Sequence, residues 1–311
     1  PPPPPPPPQP PPPPPPTTLA RPRRQRQMCI RDRPPPDPGR EPFAGFGDPI
    51  FSLAQLHQRP VKHVTLPQSG IATGDIAIRG IRISNKGEAL DSDGLSSVRL
   101  DQLCRLPDTA DEIRQIAASL KADPTRDVFL GKAATETAVK TRDFSRKKIL
   151  AFATHALLPG DLDGLTQPAL AFSSPEVTEL DEDGLLTVGE ILTLKLDADL
   201  VVLSACDTGA GDGSGSEAVS GLGRAFFYSG ARALLVTMWP VETTSANKLT
   251  TRLFQIRQEH PELPWAQAQQ QSILRLMEDP GLKDTRGVAA ASYAHPIFWG
   301  PFVVIGASGV R

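Results

Sequence analysis

The sequence predicts an α/β fold with a mostly parallel central sheet and helices on both of its faces. Three observations carry this prediction. The runs Ile149–Ala153, Leu200–Ala205 and Ala233–Thr237 are apolar but for Ser204 and Thr237 and have the length of strands, as expected where both faces of a sheet are covered. Longer segments with apolar residues at three- and four-residue intervals follow these runs, the pattern of helices with one buried face. The two kinds of segment alternate, which is how parallel strands are connected.

Taken in order, Phe43–Phe51 (FAGFGDPIF) opens the folded body as an apolar segment broken at Gly47-Asp48-Pro49. Asp75–Ser84 (DIAIRGIRIS) alternates like a half-exposed strand. In LPDTADEIRQIAASL, Asp108 or Thr109 caps a helix, and Ile113, Ile116, Ala117 and Leu120 form its buried face. Val128–Phe144 reads as a short strand, a turn and a helix. The buried strand Ile149–Ala153 then runs into a loop. Ser173-Ser174-Pro175 and Thr178–Gly184 (TELDEDG) read as an exposed loop, its acidic run Asp181-Glu182-Asp183 a solvated turn or, as the other reading, a calcium site. Thr187 caps a short helix in LLTVGEILTLKL. After the strand Leu200–Ala205 comes a helix from Ser216, as cap, to Gly230, as its C-terminal stop. The strand Ala233–Thr237 ends at Met238-Trp239-Pro240. Two further helices follow, in Thr243–Gln258 and Pro264–Asp279, and Pro301–Ser308 holds a last strand.

Composition divides the 311 residues at about position 40. Residues 1–40 form a low-complexity Pro/Arg-rich tail with 20 of the 35 prolines, and residues 41–311 form one folded domain. The proline run favours an extended, coreless polyproline II segment. Gln25–Arg33 (QRQMCIRDR) resembles translated sequencing-adapter text, so no function is placed on the tail and Cys29 is set aside. Seven arginines against two aspartates give the tail +5, which leaves −7 for residues 41–311 out of a chain total of −2. An acidic body without a basic stripe argues against nucleic acid as a partner. No apolar run has the roughly 18 residues of a membrane span, so no membrane partner is expected. Three widely spaced cysteines make neither a disulfide framework nor a zinc site, which points to a reducing, cytoplasmic setting and no metal. No internal repeat and no phosphate-cradling loop with a Lys-Ser/Thr ending is present, and no cofactor is expected.

Parallel sheets bind ligands at the carboxyl ends of their strands. Here the strand Ile149–Ala153 delivers Thr154 and His155, and Leu200–Ala205 delivers Cys206. If these strands are neighbours, an imidazole and a thiol meet at one rim. Such a pair makes a nucleophile and its base, or a thiolate–imidazolium pair, able to attack a carbonyl. The glycine-rich loop after Cys206 lets backbone N–H groups approach an oxyanion. The plain alternative is a cysteine serving as a small core residue and a histidine that is hydrogen-bonded and structural. Spacing alone does not separate the two readings. His57 and Cys104 lie 47 residues apart, against 51 for His155 and Cys206, but lack a buried strand and a following glycine. His260 and His295 each precede a proline and carry no such context.

The stretches ILAFATHALLPGDL, LVVLSACDTGAGDGSGSEAVSGLGRAFFYSGARALLVTMWPV and HPIFWGPFVVIG occur in one order across Phe43–Gly306, with LPDTADEI and TETAVK upstream. Together they resemble a CHAT domain, a caspase-like domain of the clan that includes caspases, separase and gingipains, often fused to TPR repeats. The resemblance implies a caspase–haemoglobinase-like fold and cysteine endopeptidase chemistry on protein or peptide substrates, regulated by a partner module. A catalytically silent CHAT domain acting as an interaction scaffold is the alternative. By position, His155 matches the family histidine and Cys206 the nucleophile. The residue after the histidine is commonly glycine in the clan and contributes its N–H to the oxyanion hole. Here it is Ala156, which retains the N–H but suits that role only without a positive φ. Asp207 either faces a basic substrate side chain or caps the turn at Thr208-Gly209. Trp239 either lines a substrate groove or plugs the strand end, and Trp299 reads as core. Asp207, Asp212 and Glu217, with no lysine or arginine before Arg224, make an acidic rim that favours a basic residue at the cleaved position.

Overall fold

The computed structural model describes residues 36–57, 99–162, 164–204, 214–239, 241–283 and 289–306, with backbone alone at 214–220, 282, 283, 289 and 290. The chain runs β1 (Glu41–Gly47), α1 (Leu53–His57), α2 (Asp108–Ser119), β2 (Val128–Leu130), α3 (Glu136–Thr141), β3 (Lys147–Ala153), β4 (Ala156–Leu157) and β5 (Ala169–Ala171). It continues through α4 (Pro175–Thr178), β6 (Leu185–Thr187), α5 (Val188–Ile191), β7 (Leu200–Leu203), α6 (Ser214–Ser229), β8 (Ala233–Thr237), α7 (Thr243–Glu259), α8 (Trp265–Met277), β9 (Leu282–Lys283), β10 (Ala289–Ala291) and β11 (Phe302–Gly306). The strand expected at Asp75–Ser84 lies outside the described residues.

Six strands form the central sheet in the order β11-β8-β7-β3-β1-β2. All neighbours are parallel except the edge strand β11, which runs antiparallel to β8. Both faces are covered, which is why the strands read as unbroken apolar runs. Ile149, Ala151 and Ala153 of β3, with Leu200 and Val202 of β7, pack against Ile113 and Ile116 of α2 and the inner faces of α7 and α8. Leu150 and Phe152, with Val201 and Leu203, pack on the opposite side against α3, α5 and α6. The period-two alternation of strand side chains divides each run between two cores. One cross-strand row is aromatic: Phe46 stands in register with Phe129 on one side and Phe152 on the other. Its ring stacks on both, at centroid distances of 4.7 and 5.4 Å.

Helix boundaries follow the sequence closely, with local corrections. Thr187 caps α5 through a reciprocal capping box with Glu190. Pro107, not Asp108 or Thr109, stands at the N-cap of α2. Thr109 is instead buried in the first turn, where its hydroxyl donates to the Leu106 carbonyl and accepts from the Asp48 N–H. Helix α6 begins at Ser214, two residues before the expected cap. It ends at Gly230, whose φ of 130° and approach to the Leu196 carbonyl leave no room for a Cβ. The strand expected to reach Ala205 ends at Leu203, and Ala205 lies outside the described residues.

The segment Ser173–Gly184 is an exposed loop only in part: Glu179–Asp181 and Asp183 are exposed, while its first residues are not. Ser173 and Ser174 are buried, and Ser173 accepts the Ile50 N–H and donates to the Gly131 carbonyl. The short helix α4 follows. Glu182 accepts the Thr137 N–H at 2.6 Å, so one acid of the run caps α3 while Asp181 and Asp183 face solvent. Serines and acidic residues suggest exposure by composition, but here the hydrogen bonds of Ser173 and Glu182 tie the end of β1 and the start of α3 to a small second sheet. That sheet has the order β4-β5-β6 and stands on the carboxyl side of β3. At the opposite end of the main sheet, Arg40 is buried and its guanidinium binds Asp199 with two hydrogen bonds.

Candidate functional site at the carboxyl edge of the sheet

Strands β3 and β7 are parallel neighbours, with Phe152 opposite Leu203, and the Ser204 N–H donates to the Phe152 carbonyl at 3.0 Å. His155 comes three residues after Phe152, and Cys206 three residues after Leu203. The two chains therefore leave the same rung of the sheet on the same side. Cys206, Asp207 and Asp212 lie outside the described residues, as does the side chain of Glu217.

His155 is buried, at 2% exposure. Its Nε2 lies 2.7 Å from the Cys104 carbonyl oxygen. A carbonyl only accepts, so Nε2 carries the proton and donates it. In the neutral ring Nδ1 is then the basic atom. Burial pushes the imidazole below its ordinary pKa, and the carbonyl contact opposes this shift only in part. The ring is thus neutral where a free histidine is already titrating. Phe51 packs on it with centroids 5.5 Å apart. Backbone bonds hold the histidine as well: the Ala171 N–H donates to the His155 carbonyl at 2.9 Å, and the Thr154 hydroxyl donates to the Ala171 carbonyl. Residue 155 is therefore pinned between the main sheet and β5.

Ala156 opens β4, opposite Leu170, and is buried. Among the described residues the non-glycine positions with positive φ are Asp48, Lys121 and Glu179. Ala156 is not one of them, so alanine sits there without backbone strain.

Two contributors were not read from the sequence. The Cys104 carbonyl is a backbone group and leaves no residue-type signal. Glu112 of α2 is buried beside the end of β7 and accepts the Ser204 hydroxyl at 3.2 Å, two residues before Cys206. A signal for it exists: Glu112 stands four residues before Ile116, on the helix face otherwise read as apolar. A cavity of about 490 Å³ opens beside Phe51, with Leu162 and Leu185 among its apolar walls and Glu176, Glu182 and Asp183 among its acidic ones.

Trp239 lies two residues beyond β8, on the same edge but two strands from β3, about 10 Å away at the usual strand spacing. It is 38% exposed and its ring covers Gly300. Trp299 packs partly buried against the α7–α8 side of the core. His57 is exposed at the end of α1, His260 pairs with Glu262, and His295 caps the turn at Pro296–Phe298. Among the described residues no three His, Cys, Asp or Glu side chains are grouped as metal ligands. No helix of the described residues is long and apolar enough to cross a membrane.

A family model described as CHAT domain matches residues 17–307 of this chain. Comparison with curated proteins returns no match.

Proposed function

Because the chain belongs to the CHAT domain family, a caspase-like family, we propose that it is a cysteine endopeptidase with Cys206 as nucleophile and His155 as general base. The observation that carries the reading is the state of His155. Its Nε2–H is committed to a backbone carbonyl, which leaves Nδ1 as the basic atom of a neutral ring. It stands where the chain leaves the strand neighbouring the one that leads to Cys206.

In the proposed cycle Nδ1 takes the proton from the Cys206 thiol. The sulfur attacks the scissile carbonyl carbon, and the carbonyl electrons move to oxygen. Backbone N–H groups of the rim, that of Ala156 among them, stabilise this oxyanion. The oxyanion collapses, the C–N bond breaks, and the imidazolium gives its proton to the leaving amine. A thioester remains. Water, deprotonated by His155, adds to it, and the thiol leaves with the returned proton. A neutral histidine suits the base role at neutral pH, since no proton has to be shed first. The reaction needs no metal or organic cofactor.

The family also admits a silent module that binds partners without cutting them. The near-complete burial of His155 favours that second reading, because a base must reach both thiol and leaving group. A peptidyl electrophile separates the two. Mass spectrometry is expected to find Cys206 labelled well before Cys104, and His155→Ala to slow labelling by about 10²-fold or more. Equal labelling of both cysteines in the folded chain, or a rate indifferent to His155, overturns the peptidase reading.

A further inference from the structure

We infer that the ion pair Asp48–Arg105 is a positioning device for His155: it fixes the Cys104 carbonyl and thereby keeps the imidazole proton on Nε2. The inference rests on the peptidase reading only for what that tautomer is used for. The tautomer itself is a property of the folded chain.

Arg105 directly follows Cys104 and grips Asp48 in a fork, with Nε to Oδ1 at 2.7 Å and Nη2 to Oδ2 at 2.8 Å. Both side chains are largely buried, at 19% and 9% exposure. A two-bonded Arg–carboxylate contact of this kind is directional, unlike a solvent-exposed pair of point charges. Asp48 is itself anchored. It directly follows β1 with φ at 51°, a conformation held by its N–H bond to Thr109 Oγ1 at 2.7 Å. On the other side of Cys104, the Leu103 carbonyl accepts Gln55 Nε2 at 2.6 Å, while Gln55 Oε1 accepts the Phe51 N–H at 2.9 Å.

Cys104 therefore lies between two residues tied to the segment Asp48–Gln55, and Phe51 of that segment packs on the His155 ring. One knot supplies both the apolar wall of the imidazole and its hydrogen-bond acceptor. Neither Asp48 nor Arg105 touches the ring, so their action runs through the carbonyl. If the fork loosens, the carbonyl is free to drift from 2.7 Å. The buried Nε2–H then loses its acceptor, and the proton has less reason to stay on that nitrogen. Lysine keeps the charge at position 105 but not the fork, and asparagine keeps the shape at 48 but not the charge.

The test uses the full chain labelled with ¹⁵N-histidine. In the wild type, His155 is expected to show a protonated Nε2 and an unprotonated Nδ1. In Arg105→Lys and in Asp48→Asn, each checked as folded by its remaining spectrum, the Nδ1–H tautomer is expected to appear at His155 while the other histidines stay unchanged. Alkylation of Cys206 by iodoacetamide at neutral pH should fall about tenfold, a part of the roughly 10²–10⁴-fold that a positioned base contributes. Arg105→Lys, which retains the charge, is the milder change and decides the matter if Asp48→Asn does not fold. An unaltered Nε2–H tautomer in a folded variant overturns the inference. An alkylation rate insensitive to His155→Ala overturns the peptidase reading instead, and the tautomer still decides the role of the ion pair.

Discussion

At the residue scale the decisive group is a histidine that folding keeps uncharged. Its pKa is depressed by burial, so the unfolded chain binds the proton more readily. Stability from this residue is therefore complete above the ordinary histidine pKa of 6.5 and is lost as pH falls toward the depressed folded value. The ¹³Cε1 resonance of His155 should accordingly remain that of a neutral ring below pH 6.5. Titration of His155 at or above 6.5 would contradict its burial. Ala156 allows a second expectation. Since its φ is not positive, Ala156→Gly relieves no strain. It should leave Cys206 reactivity unchanged and lower stability by about 0.5–1 kcal/mol, measured by urea unfolding, from the added backbone freedom. A marked gain in reactivity would mean that the family's glycine is needed there.

At the scale of elements, what aligns the rim is the packing of β2, β1 and β3 through Phe129, Phe46 and Phe152. Their stacked row lies on the rung that ends beside His155. Phe46→Ala opens a cavity in the middle of this row and should cost about 3–5 kcal/mol in equilibrium unfolding. A cost below about 1 kcal/mol would show that the row is not a unit. The other element-level coupling is electrostatic. Glu136 of α3 accepts Lys140 Nζ and the Gly184 N–H, and Lys140 also reaches Glu190. Burial pushes the Glu136 carboxyl up to about 7 against the pull of Lys140, with Glu190 and Asp183 adding repulsion. A raised carboxyl pKa means that the folded state binds the proton more tightly. Its stabilising contribution is present below the ordinary value of 4.5 and is lost as pH rises toward 7. The stability difference between wild type and Glu136→Gln should therefore move against the wild type across that window, as urea unfolding at successive pH values would reveal. A flat difference would mean that Lys140 alone governs the site.

At the scale of the whole molecule, charge directs encounter. Residues 41–311 carry −7, and such a body attracts basic ligands over a distance set by ionic strength. With the proposed peptidase activity, a positional peptide library is expected to favour arginine or lysine at the cleaved position, and the preference to weaken as salt is raised. A preference for aspartate or an apolar residue would refute the acidic rim and leave the dyad untouched. The control by a partner module that the resemblance implies predicts low turnover of generic peptides by the isolated chain, and rapid turnover by residues 41–311 alone would contradict it.

The sequence by itself determined the layers and the order in which the reactive positions appear. Largely apolar runs at Ile149–Ala153, Leu200–Ala205 and Ala233–Thr237 require cover on both faces, and a run ending in Thr154-His155 delivers that histidine to the sheet edge. These are short-range properties, carried by residue type and period. Tertiary structure alone decided which strands are neighbours, because register between β3 and β7 depends on contacts across 51 residues. It likewise decided that Ser173, Ser174 and Glu182 are tied to neighbouring elements rather than left in an exposed loop. Polar composition looks the same whether hydrogen bonds go to water or to Ile50, Gly131 and Thr137. Least legible of all was the acceptor for His155. A backbone carbonyl has no residue type, and the one at Cys104 is brought to the ring by an ion pair between residues 57 positions apart. Periodicity records what a segment buries, but not which distant segment it is buried against.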